Sequence, residues 1–123
     1  MFDQHRRWKK KFKDALRGLR EGARGQDSFH IHIPTTVFVL GTALALRMDF
    51  PQLCILILCI GGVVTAELLN SAIEWLARAI TDQEDERIRN ALDIAAGAVL
   101  FMSICAVTIG ALLFGQAIWL RCC

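Results

Sequence analysis

Two carboxylates, an amide and a hydroxyl stand close together in an otherwise apolar stretch. They are Glu67, Asn70, Ser71 and Glu74, directly after the run from Leu53 to Thr65. On a helix turning about 100° per residue, Glu74 returns to within roughly 20° of Glu67, with Asn70 and Ser71 about 60° and 40° to either side. The four therefore share one stripe. An ionisable side chain at membrane depth costs about 2.5–3.5 kcal/mol on insertion scales and marks a functional site by default. A helix end already among the headgroups would carry the same glutamates cheaply. Leu76, Ile80 and their apolar neighbours, however, continue the helix beyond Glu74. The stripe is expected to face a protein interior. Carboxylates so placed can bind Mg2+, which in turn binds nucleotide phosphates, and another carboxylate can take a proton from a lipid hydroxyl.

The elements that must position this stripe follow from composition. The chain has 123 residues, 54% of them hydrophobic, which is too apolar for an ordinary soluble domain and leaves room for one domain over 1–123. Three segments are expected to span a bilayer, at about 29–46, 53–80 and 94–120. The third is free of charge and exceeds the roughly 20 residues a span needs. Lipid offers no partner to free backbone groups, so the expected fold is all-α. Before the spans, Trp8, Phe12, Ala15, Leu16 and Leu19 recur at helical spacing among basic residues. This predicts an amphipathic helix over about 2–23 lying in the membrane interface. A nucleic-acid-binding arm would show basic density without such a stripe, so no nucleic-acid partner is expected.

Charge sets the expected orientation. Of 14 Lys and Arg, nine precede residue 25, which places the N-terminus in the cytoplasm. Three spans then put the turn around Arg47 outside, the 81–91 loop with Arg87 and Arg89 inside, and the C-terminus outside. The first apolar run starts too late for a cleavable signal peptide. The five cysteines lack zinc-type spacing, and Cys54, Cys59 and Cys105 fall inside apolar spans as small hydrophobes. Cys122 and Cys123 stay unassigned. Local signals punctuate the rest. Asp27 or Ser28 with Pro34 in the first turn, and Asp49 with Pro51, predict the starts of two spans. Thr81-Asp82-Gln83-Glu84 fits a capping box. Gly22 and Gly25 predict a turn. Gly61-Gly62 and the run Ala95-Ala96-Gly97-Ala98 predict close helix approach. His30 and His32, two apart, point in different directions on a helix and are taken as interfacial histidines rather than a metal pair.

No phosphate-binding glycine-rich loop with lysine and no protein-kinase signature is present. The sequence instead resembles the small prokaryotic diacylglycerol kinases and undecaprenol kinases. Glu67-Leu68-Leu69-Asn70-Ser71-Ala72-Ile73-Glu74 is similar to that family's E-[IL]-L-N-[ST]-A-I-E signature, and Ala91 to Leu100 is similar to its A-K-D-x-A-A-G-A-V-L motif. Phe12 to Leu19 and Ser28 to His32 resemble its amphipathic start and pre-membrane segment.

The resemblance implies a homotrimeric helical bundle of three-span subunits in the bacterial inner membrane, each preceded by a surface helix. It implies transfer of the γ-phosphoryl group of ATP, with Mg2+, to a membrane lipid alcohol, diacylglycerol or undecaprenol. Glu67 would be the general base, Glu74 a metal ligand, Asn70 a positioning residue and Asp93 part of the nucleotide site. Clefts between subunits would enclose both substrates, which three short helices alone cannot. Two positions depart from the pattern. Leu92 stands where the family has a lysine, and Gln26 where it has a metal-binding glutamate. Arg89, three residues before Leu92, is the expected substitute cation in nucleotide binding. Gln26 retains a carbonyl, and Asp27 beside it is the expected replacement metal ligand. A catalytically impaired relative that binds lipid or nucleotide is the alternative. A proton-coupled transporter ranks third.

Overall fold

The computed structural model describes the backbone of residues 2–24 and 28–122, and the surroundings of side chains from 5–22 and 32–122. Gln26, Asp27 and Cys123 lie outside the described residues. Four helices follow one another: α1 (Phe2–Arg24), α2 (Ser28–Ala45), α3 (Phe50–Ile80) and α4 (Glu86–Cys122). No strand occurs among the described residues. The all-α expectation holds, and the surface helix and the three apolar runs each form one helix.

The turn between α2 and α3 is tightly specified. Met48 N–H donates to the Ala43 carbonyl and Arg47 N–H to that of Leu44, each at 3.1 Å. This is the Schellman pattern, and Arg47 supplies its left-handed residue with φ of 55°. Its apolar clasp is present too: Ala43, Met48 and Leu56 are buried together against Val39, Leu53 and Phe114. Asp49 then caps α3 reciprocally. Its carboxylate accepts from Gln52 N–H and its own N–H donates to the Gln52 side chain, both at 3.1 Å. Pro51 sits in the first turn as expected. A left-handed arginine carries a backbone cost of about 1–2 kcal/mol that glycine avoids. Arg47→Gly is therefore expected to raise stability by about 1 kcal/mol once glycine's greater chain entropy is subtracted. A detergent unfolding midpoint that stays put or falls would contradict it.

Several local expectations are corrected. Thr81 does not start a helix. It is the extended residue that ends α3, with its N–H on the Ala77 carbonyl, and its hydroxyl accepts from Gln83 N–H at 3.0 Å. The cap of α4 is instead Asp85, which accepts from Arg87 N–H at 2.8 Å. That bond, with the Arg87 guanidinium 3.5 Å away, holds the Asp85 carboxyl below its ordinary range. The cap thus persists above that lowered value and weakens as pH falls through it. Pro34 lies inside α2 rather than in its first turn, and removes a backbone donor there. Gly22 is helical, not a turn, and a Cβ there would meet the Leu68 side chain, so α1 approaches α3 at this point. Of the two adjacent glycines in α3, Gly62 admits Met102 of α4 while Gly61 faces open space. Of the small residues at 95–98, Ala95 is buried and Gly97 has nothing beside it.

Helices α3 and α4 form an antiparallel pair that supplies most of the packing, with α1 and α2 resting on α3. Both long helices are apolar enough to cross a membrane. At 1.5 Å per residue they extend about 46 and 55 Å, against a hydrocarbon thickness of about 30 Å. The chain exposes 10028 Å2 of surface, whereas a compact soluble protein of this mass exposes roughly 6600 Å2. Large apolar side chains contribute to it: Phe38, Leu58, Ile94, Phe101 and Val107 are all exposed. Lipid is the solvent that such a surface suits.

Candidate functional site

The polar stripe of α3 is real, but tertiary contacts divide it. Ser71 is buried, and its hydroxyl donates to the Glu67 carbonyl at 2.9 Å, so it serves the helix rather than a ligand. Glu67 points towards α2, where its Oε1 lies 3.1 Å from His32 Nε2. The two side chains keep 13% and 26% of their exposure. In the Nε2–H tautomer the imidazole donates this bond and the carboxylate accepts it. One and two turns further on, Asn70 donates to Glu74 Oε1 at 3.1 Å and Arg78 approaches Glu74 Oε2 at 3.8 Å. The Arg78 guanidinium also stacks 5.5 Å from the Trp75 ring.

Beyond Glu74, the ends of α3 and α4 diverge around the 81–85 turn and leave a cleft of about 980 Å3. Glu74 enters it from α3, and Leu92 and Asp93 from α4. The two acids lie at one level, since Glu74 is six residues before the end of α3 and Asp93 seven after the start of α4, or about 10 Å of helix each. Six carboxylates line the cleft (Glu74, Asp82, Glu84, Asp85, Glu86 and Asp93) against two guanidiniums, Arg78 and Arg89. Arg89 also lies 3.6 Å from Glu84. The donors are hard oxygens of the kind Mg2+ takes, and that ion uses one or two carboxylates with phosphate and water completing its shell. The residues present therefore fit Mg2+, although no three metal-binding side chains converge among the described residues.

A second cavity, apolar and about 510 Å3, runs between α2, α3 and α4 from His32 past Val39, Leu56 and Val63 to Gly110 and Phe114. His32 closes its end beside Glu67. The structure thus brings Glu74, Asp93 and Arg89 to one cleft, with Asn70 bonded to Glu74. Glu67 stands outside that cleft, between it and the apolar groove. Sequence reasoning missed His32 as a partner of Glu67 and Arg78 as a cleft cation. For Arg78 a signal existed, its position four residues after Glu74.

Fold and site together define an all-helical membrane protein with a carboxylate-lined cleft at the turn of its longest helix pair. Residues 13–114 match the prokaryotic diacylglycerol kinase family, and the chain belongs to that family. It is 36% identical over 108 residues to the undecaprenol kinase of Bacillus subtilis, covering 88% of each chain. It is 35% identical over 100 residues to the diacylglycerol kinase of Synechocystis sp., covering 80% of this chain and 57% of that relative, so it spans little more than half of the latter's length. Both relatives are lipid kinases.

Proposed function

We propose that this chain is a lipid kinase that transfers the γ-phosphoryl group of Mg-ATP to diacylglycerol or undecaprenol at the cytoplasmic membrane surface. The observation that carries the reading is the arrangement on α3. Glu67 is a largely buried carboxylate bonded to His32, which lines the end of an apolar groove, and Glu74 lies two turns away in a cleft of nucleotide size with Asp93. Measured from the first residue of α3, Glu67 lies about 26 Å along the helix and Glu74 about 36 Å. With a hydrocarbon layer of about 30 Å, Glu67 reaches the edge of the apolar region and Glu74 the headgroups. A lipid alcohol lies with its chain in the groove and its hydroxyl at Glu67. The nucleotide lies in the cleft.

In this mechanism Glu67 takes the proton of the lipid hydroxyl as that oxygen bonds to the γ-phosphorus and the bond to the departing ADP oxygen breaks. Glu74 and Asn70, tied to each other, hold the phosphate end of the nucleotide site, and Asp93 faces them across the cleft. Bound Mg2+ would neutralise phosphate charge, with Glu74 as its protein ligand and Asp27 and Gln26 as further candidates. Three membrane spans per subunit, a cytoplasmic N-terminus, an outside C-terminus and a homotrimer belong to the same proposal. The large exposed apolar surface of the single chain supports them.

The second reading, a catalytically impaired relative, has one specific observation behind it: Leu92 places an isobutyl group in the cleft where a cation would meet phosphate. Arg89 lines the same cleft and is the proposed substitute. Arg89→Ala is expected to lower activity about tenfold or more, because a lost charged contact to phosphate costs about 1.5–3 kcal/mol. Arg87→Ala should stay near wild type, since Arg87 does not line the cleft. Equal activity in the two variants would remove Arg89 from the site. The reading as a whole is tested with γ-labelled Mg-ATP and purified protein offered both lipids side by side. Label in one lipid establishes the kinase and names its acceptor. No label in either, from folded protein, favours the impaired relative.

A further inference from the structure

The groove, the cleft, the paired arginines and the basic face of α1 all belong to the reading already given, but the imidazole on α2 does not. We infer that His32 is a positioning residue that aims the Glu67 carboxylate at the acceptor hydroxyl. The inference rests on Glu67 being the base.

Three observations carry it. The Nε2–Oε1 distance of 3.1 Å is a hydrogen bond across 35 residues of sequence, joining the shortest apolar helix to the polar stripe. Both side chains are shielded, Glu67 the more so, and a carboxylate at such depth is held where its donor holds it. The histidine also lines the end of the apolar groove, so it stands at the point where a hydrocarbon chain would give way to a hydroxyl. With Nε2–H bound to Oε1, Oε2 is the oxygen that remains to take the proton. Ser71, bonded to the Glu67 carbonyl, fixes the backbone beneath. Without the imidazole, the carboxylate swings among rotamers and spends little time in line.

The test uses the full chain in lipid-containing detergent, with His32→Leu, His32→Asn, His32→Gln, Glu67→Gln and Glu67→Leu beside the wild type. A misplacement of about 1 Å at a reacting group costs about 100-fold. His32→Leu should accordingly lower kcat by about 10–100-fold, with the KM of lipid and of Mg-ATP little changed. His32→Asn, whose amide is too short to reach Oε1, should behave likewise and carries the test if the leucine variant does not fold. His32→Gln sets an amide N–H where Nε2 lies and should recover most of the loss. Nitrogen-15 NMR of histidine-labelled protein gives a readout independent of turnover. The His32 signal, identified by its loss in His32→Gln, should report a predominant Nε2–H tautomer in the wild type and a shifted tautomer balance in Glu67→Leu, which offers Nε2–H no acceptor.

Wild-type kcat in His32→Leu or His32→Asn, or no recovery in a folded His32→Gln, overturns the inference. So does an unchanged tautomer balance in a folded Glu67→Leu. An active Glu67→Gln would instead strike at the base assignment on which the inference stands, and is told apart because the His32 variants play no part in that result.

Discussion

Glu67→Gln is expected to lose about 10²–10⁴-fold in phosphoryl transfer, the range that a positioned general base contributes. The amide keeps the size of the carboxylate, and its carbonyl can still accept from His32 Nε2. What disappears is the capacity to hold a proton as the lipid oxygen attacks phosphorus. Helix content and assembly state should therefore be unchanged, and so should binding of Mg-ATP, because Glu67 does not line the nucleotide cleft. Initial rates with saturating lipid, beside nucleotide binding measured without lipid, make the check. A variant that binds nucleotide normally and turns over within a few-fold of wild type would remove Glu67 from the chemistry.

The second large effect is expected at Glu74. Glu74→Gln leaves an acceptor for the Asn70 amide, so the local helix surface survives, but it takes a charge from the cleft and the counter-ion from Arg78. Activity should fall on the order of 100-fold or more, since even the outer partners of a metal ligand are typically worth 10–100-fold. The Mg2+ concentration for half-maximal rate should rise as well, because a hard divalent cation loses an anionic ligand. The two variants thus separate by their readouts. Glu67→Gln lowers the rate at every Mg2+ concentration, whereas part of the loss in Glu74→Gln returns as Mg2+ is raised. An unchanged Mg2+ midpoint in Glu74→Gln would free Glu74 from any ligand role.

The helices were legible because their signals are local and redundant. Long apolar runs fix the extent of α3 and the body of α4, whose first two turns from Glu86 to Asp93 are largely polar, and Asp49 with Pro51 marks a start that geometry reproduces. The stripe of Glu67, Asn70 and Glu74 was legible for the same reason, since helical periodicity alone aligns it. What the residues did not disclose lies between elements. His32 reads as an interfacial histidine until α2 is laid against α3, because nothing within 35 residues of chain announces its partner. Thr81 followed by Glu84 satisfies a capping pattern, yet a threonine that closes one helix carries the same local sequence as one that opens the next. The difference lies in where α3 stops. Gly22 likewise reads as a breaker from composition, and only the approach of Leu68 shows a glycine kept for closeness.

The brevity of α2 has a mechanical consequence. Its 18 residues extend about 27 Å, a few ångström short of the hydrocarbon layer, while α3 and α4 overshoot by turns. If α2 is the first span, as proposed, a bilayer that thickens or thins would pull first on α2, the helix with no length to spare. At one end α2 is pinned to α3 by the Arg47–Asp49 turn, so such a pull would be felt at the other, where His32 meets Glu67. On the proposed reading, membrane thickness would then bear on the orientation of the Glu67 carboxylate, and the bilayer would influence the site as well as supply its acceptor.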